Sequence, residues 1–119
     1  MADFEGLKVW QAAHALVLDA YRFTATFPRG EQFGLTAQIR RAAVSIAANI
    51  AESAGRNHSL DQARFLQIAK GSAKKVRSHL LIARDLRFLA RSDQQDLDAR
   101  LSNIERMLSS LLSYHKGRA

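Results

Sequence analysis

The residues best placed to do chemistry in this chain are cations. Between Gln62 and Arg91 it carries eight of them, Arg64, Lys70, Lys74, Lys75, Arg77, Arg84, Arg87 and Arg91, against the single acid Asp85, a surplus equal to the +7 of the whole protein. Lys70, Arg77, Arg84 and Arg91 recur every seven residues, a spacing that would keep them on one side of a helix for about 30 Å. Ammonium and guanidinium groups at that pitch suit the phosphates of RNA or DNA, contacts that position a strand without reading its bases. Lys74 and Arg87 widen the row into a candidate nucleic-acid surface of six residues. The plainer reading of the same row is a solvated helix face.

A second constellation lies upstream. Gln38, Arg41, Ser45, Asn49, Glu52 and Arg56 fall in line on a helix, beside an apolar row of Leu35, Ile39, Ala42, Ala43, Ile46, Ile50 and Ala54. A polar row that mixes amide, hydroxyl and both signs of charge has the make-up of a hydrogen-bonding network, inside one subunit or across an interface. Glu52 and Arg56 stand four apart, which makes a salt bridge a simpler assignment than an acid–base pair.

Catalytic patterns are missing. The sequence has no Cys, which removes thiolate nucleophiles and thiolate metal sites. His14, His58, His79 and His115 fall on four separate segments without a metal-ligand spacing, and His79 belongs to an apolar column, as an interior or interface histidine. There is no Gly-rich phosphate loop, nucleophile elbow or HExxH. The expectation is a protein that is not an enzyme and takes neither metal nor cofactor.

The elements that must position these rows are helices. With 119 residues, 47% hydrophobic, one Pro and six Gly, the chain reads as a single all-α domain, and periodicity places helices at about 7–26, 36–55, 60–90 and 93–114. In the first, Val9, Ala13, Leu16, Ala20 and Phe23 form one apolar row and Trp10, Val17 and Tyr21 another, an arc wide enough to touch another subunit. Phe27-Pro28 stops it. Thr36, Ser59 and Ser92 are the expected N-caps of the other three, the last two with Gln in capping-box spacing.

In the third helix, Ala69, Val76, Ala83 and Ala90 and then Phe65, Ser72, His79 and Leu86 are the expected core columns. Leu81 and Phe88 point outward as candidate oligomer contacts, Phe88 with base stacking as its alternative role. Leu97, Leu101, Ile104, Leu108 and Leu111 mark the fourth, after which residues 115–119 should fray. Short connections imply an antiparallel, up-down-up-down four-helix bundle. No signal peptide or membrane span is visible, so a cytoplasmic protein is expected.

The runs Gln38-Ile-Arg-Arg-Ala-Ala-Val-Ser-Ile, Asn49-Ile-Ala-Glu and Gly55-Arg56 resemble the signature of the four-helix-bundle family first noticed in intervening sequences of bacterial large-subunit rRNA genes. Leu7-Lys-Val-Trp-Gln-Ala-Ala, Phe27-Pro28, Glu31-Gln-Phe-Gly-Leu35 and Phe65-Leu-Gln-Ile-Ala-Lys-Gly-Ser72 follow in the family's order, over roughly residues 4–90. Ala47 stands where a Pro is usual, Ser53 where a Gly is, Lys75 where a Glu is common and Arg87 where a Gly is common. That family is similar in turn to the accessory protein of diversity-generating retroelements, a basic homopentamer that binds nucleic acid and a reverse transcriptase. The resemblance therefore implies self-association as a pentamer, RNA or DNA as a ligand and a reverse transcriptase as a possible class of partner; the alternative to nucleic-acid binding is a protein-interaction scaffold. Light scattering at micromolar concentration should show a homo-oligomer, and a stable monomer would contradict the wide apolar arc.

Overall fold

Steps of three and four between apolar residues decide which face of each helix is buried. The structure, a computed structural model, describes residues 3–118, with helices α1 (Lys8–Thr24), α2 (Leu35–Ala54), α3 (Ser59–Asp85) and α4 (Arg91–Arg118) and short 3-10 turns at Asp3–Gly6 and Arg29–Glu31. Among these residues there is no strand. Val9, Ala13, Leu16 and Ala20 of α1, Ile39, Ala43, Ile46 and Ile50 of α2, and Leu101, Ile104 and Leu108 of α4 meet in one core. From α3 that core takes Ala69, Val76 and Ala83 as expected, plus a second heptad column, Leu66, Ala73 and Leu80, outside the expected ones. Each helix packs on its neighbour in chain order, and α4 closes more thinly on α1. Three contacts show that α2 and α3 run antiparallel: His79 with Gln38, Ser72 with Ser45, and Ser53 with the Gln62 carbonyl.

Helix ends differ from expectation for local reasons. Helix α3 stops at Asp85, not near residue 90, because Arg87 adopts a left-handed conformation with φ 65°. The Phe88 N–H then donates to the Ala83 carbonyl (2.9 Å) and the Arg87 N–H to that of Arg84 (3.0 Å). These are the two bonds of a Schellman termination, made with Arg where Gly is the usual residue. The turn draws Phe88 partly inward, its ring 5.7 Å from that of Phe27, so it is half-buried where the spacing predicted a fully outward position, and it lines the cleft at the turn. Leu86 and Ala90, expected in the core, are exposed for the same reason.

Helix α4 begins at Arg91, placing Ser92 inside its first turn, and stays helical to Arg118 instead of fraying at residue 115. Helix α2 begins one residue before Thr36, which is buried; the Glu31 carboxylate accepts from the Leu35 N–H at 3.1 Å. His58, not Ser59, is the cap residue of α3.

Two ion-pair groups fasten the helices. Glu105, 7% exposed on α4, accepts from Arg77 Nη1 on α3 at 2.5 Å and has Lys74 Nζ 3.2 Å from its other oxygen. Asp98 takes the rest of the Arg77 fork at 2.9 and 3.2 Å. Burial disfavours the Arg77 charge, yet hydrogen bonds to Asp98 and Glu105 outweigh it and hold the guanidinium above its ordinary pKa.

At the thinner seam, Arg100 of α4 donates to Asp19 of α1 at 2.6 Å. That bond, opposed by partial burial and helped by Arg22, holds the Asp19 carboxyl below the usual carboxylate range. A lowered carboxylate pKa gives stability that is present above the ordinary value and lost as pH falls through the folded one, so this seam loosens in acid, below about pH 4.

Glu105→Ala should lower stability by about 1.5–3 kcal/mol, because it removes the more buried of the two carboxylates on the Arg77 guanidinium and leaves Asp98 alone to match it. The double change Glu105→Leu with Arg77→Met should regain part of that in thermal melts, since the two groups are then both apolar and only the more exposed Asp98 and Lys74 lose a partner. A single-variant cost below about 0.5 kcal/mol would place the pair among ordinary surface contacts.

Candidate nucleic-acid interface

The basic row predicted from spacing divides in two. Arg77 turns toward α4 and is only 28% exposed, held by Glu105 and Asp98, and Lys74 shares Glu105 with it. Arg84 bonds its neighbour Asp85 at 2.9 Å. Arg87 sits in the turn and Arg91 on the next helix, so no continuous rail runs along α3. What remains is two basic clefts. Arg84, Arg87 and Arg91 line one of about 450 Å³ at the α3–α4 turn. Lys70, Lys74 and Arg106 line another of about 470 Å³ between α3 and α4, with Ser102, Ser109 and Ser110 on its α4 wall and Glu105 in it. Arg106 was not singled out from sequence; it lies far along the chain from the lysines, and only the packing of α4 on α3 unites them.

The polar row of α2 also divides. Its middle forms a link to α3: the hydroxyls of Ser45 and Ser72 lie 2.8 Å apart, and Asn49 donates to the Ser45 carbonyl (2.8 Å) and hydroxyl (3.1 Å). At one end Arg56 bonds Glu52 at 2.5 Å and lies over the Phe65 ring. At the other, Gln38 meets His79 Nε2 at 2.7 Å, while His79 Nδ1 lies 2.5 Å from the Lys75 carbonyl. That carbonyl can only accept, so Nδ1 donates. Arg41 has no hydrogen-bond or ion-pair partner among the described residues and faces a cleft of about 370 Å³ between α2 and α3, shared with Phe33, Gln38, Lys75 and His79 over a floor of Ser45 and Ser72.

Of the predicted oligomer contacts, Leu81 is exposed. So are Leu18 and Tyr21 on α1 and Val44 on α2; of these Tyr21 belongs to the expected arc, whose Trp10 and Val17 are half-buried against the core. Among the described residues no group of three or more His, Cys, Asp and Glu side chains is arranged to hold a metal ion, and no helix is long and apolar enough to cross a membrane.

Asn49 spends both its bonds within its own helix, so Asn49→Ala should cost only about 0.5–1 kcal/mol in thermal melts, less than the loss expected of a residue that bridges helices. Ser72→Ala, which removes the crossing hydroxyl contact, should cost at least as much; a loss at Asn49 exceeding about 2 kcal/mol would show a wider network than these bonds form.

The fold is similar to the crystal structure of a protein with unknown function from the S23 ribosomal protein family, from Bacteroides thetaiotaomicron. The TM-score is 0.79, with 87% of this chain and 97% of that chain covered at 21% sequence identity. No curated protein matches the sequence. The model of the 23S rRNA-intervening sequence protein family matches residues 5–110. The chain belongs to the 23S rRNA-intervening sequence protein family.

Proposed function

We propose that this protein is a non-enzymatic nucleic-acid-binding module that works as a homo-oligomer and holds RNA or DNA by its phosphates. One observation carries the reading. Asp19, Glu52, Asp61, Asp85, Asp98 and Glu105 are taken up in ion pairs within the fold. Arg41, Lys70, Lys75, Arg87 and Arg91 carry no carboxylate partner among the described residues, in a chain of net charge +7. Such cations line three clefts beside α3, one against α2, one against α4 and one at the α3–α4 turn. A phosphate backbone can neutralise them without breaking any bond that holds the bundle, and each contact made releases a counterion.

Self-association is supported by the exposure of Leu18, Tyr21 and Val44. Arg40 spans the α1–α2 seam beside them, its guanidinium 4.5 Å from the Tyr21 ring centroid and its Nε 2.8 Å from Thr24. The same apolar residues favour the second reading, a scaffold that binds another protein.

Salt dependence separates the two. Binding to single strands should weaken with a slope of about −0.7 in log K against log salt for each phosphate neutralised, or about −0.9 on duplex DNA. Replacing Lys70, Arg87 and Arg91 with Gln should leave the melting temperature nearly unchanged and make the single-strand slope shallower by up to about 2. An equal slope and affinity in the variant would return these cations to solvent and favour the scaffold.

A further inference from the structure

Phe33 is 90% exposed, yet the turn that carries it is bonded on both sides. The Glu31 N–H donates to the Pro28 carbonyl (2.9 Å), Gln32 to Arg29 (3.1 Å) and Gly34 to Glu31 (3.0 Å), and the Glu31 carboxylate caps the helix that follows. The ring is therefore held out in water by ordered backbone, against the normal gain from burying an aromatic side chain. It borders the α2–α3 cleft, whose volume of about 370 Å³ lies within the usual range for small-ligand sites.

Charge tells what would enter. Arg41 and Lys75 reach the cleft from opposite helices, both without a carboxylate partner, and no acid lines it. The α3–α4 cleft differs on this point: Glu105 lies in it and already engages Lys74. A site with two free cations, a flat apolar face at its rim and hydrogen-bonding Gln38 between them matches an anion that carries an aromatic ring.

We infer that the α2–α3 cleft holds one nucleotide of an unpaired strand, its phosphate on Arg41 and Lys75 and its base stacked on Phe33. This rests on the nucleic-acid reading above and sharpens it, because a base inside a duplex cannot reach the Phe33 face, whereas an unpaired one can. The His79 contacts, to Gln38 at 2.7 Å and to the Lys75 carbonyl at 2.5 Å, fix the Gln38 amide in the cleft and tie the backbone of Lys75 to the same spot. Arg41 and Lys75 thus stand on two helices that the Ser45–Ser72 contact and this histidine keep in register.

The test is fluorescence anisotropy with labelled mixed-sequence RNA and DNA strands of about 12 nucleotides, an abasic strand of the same length and a blunt duplex. Phe33→Ala should bind the base-bearing strands about 5- to 100-fold more weakly than wild type, bind the abasic strand equally and keep its melting temperature and light-scattering mass. Phe33→Trp should restore binding. Arg41→Gln with Lys75→Gln should make the single-strand salt slope shallower by about 0.7, the loss of one phosphate, on base-bearing and abasic strands alike.

Equal affinity of Phe33→Ala and wild type for the base-bearing strands would overturn the cleft assignment. A loss of equal size on the abasic strand, or a drop in oligomer mass that assigns Phe33 to a subunit contact, would overturn it too. In each of these cases nucleic-acid binding itself still stands. Wild-type protein that binds none of the probes would overturn the proposed function, and the cleft assignment with it.

Discussion

A guanidinium drawn out of water has to be matched by carboxylates, and in this protein that requirement fixes how α3 meets α4. Arg77 fills the seam with its fork on Asp98 and Glu105, and Lys74 takes the remaining oxygen of Glu105. Once those acids are committed, the rest of the α3 surface has only Asp61 and Asp85, each within three residues of the arginine it pairs with. The positive character of the protein is its surplus of 18 Lys and Arg over 11 Asp and Glu, and these pairs decide which cations are left to show it. Cations on the α4 side of α3 are partly spent on cohesion, while Lys75, toward α2, is left free.

The same division explains why two neighbouring clefts differ in character. The α3–α4 cleft is basic at its rim and acidic within, because Glu105 must be there to hold Arg77. The α2–α3 cleft is floored by serine hydroxyls that satisfy each other, so no charge inside competes for an incoming phosphate. Phe33 stands at its edge because the turn before α2 is closed by its own hydrogen bonds and by Glu31, without any need for the ring to pack. Fastening and binding are thereby kept on different faces of one helix.

Much of the bundle was legible in the sequence, since steps of three and four named the buried faces of α1, α2 and α4 almost residue by residue. The end of α3 was not, because the segment Leu86–Ala90 contains neither Gly nor Pro and nothing in its composition announces that Arg87 will take a left-handed conformation. A helix continued by five residues would put Phe88 outside and Ala90 inside, whereas Phe88 is half-buried against Phe27 and Ala90 is exposed. Heptad spacing rightly found Lys70, Arg77 and Arg84 on one helix. It could not tell that Arg77 faces Glu105, since ion pairing across a seam depends on which residues of α4 arrive opposite. The polar row of α2 was visible as a row, but Phe33, Lys75 and His79 joined it only once the turn and α3 were packed beside it.

The protein's cations are of two kinds, those that brace the bundle and those without a carboxylate partner among the described residues. Lysine footprinting by amine acetylation, read by mass spectrometry with and without a single-stranded RNA, measures that division directly. Lys75 and Lys70 should lose reactivity when the RNA is added, while Lys8 and Lys116, which line none of the three basic clefts, keep theirs. Protection of Lys8 and Lys116 to the same extent, or none at Lys75, would contradict the account.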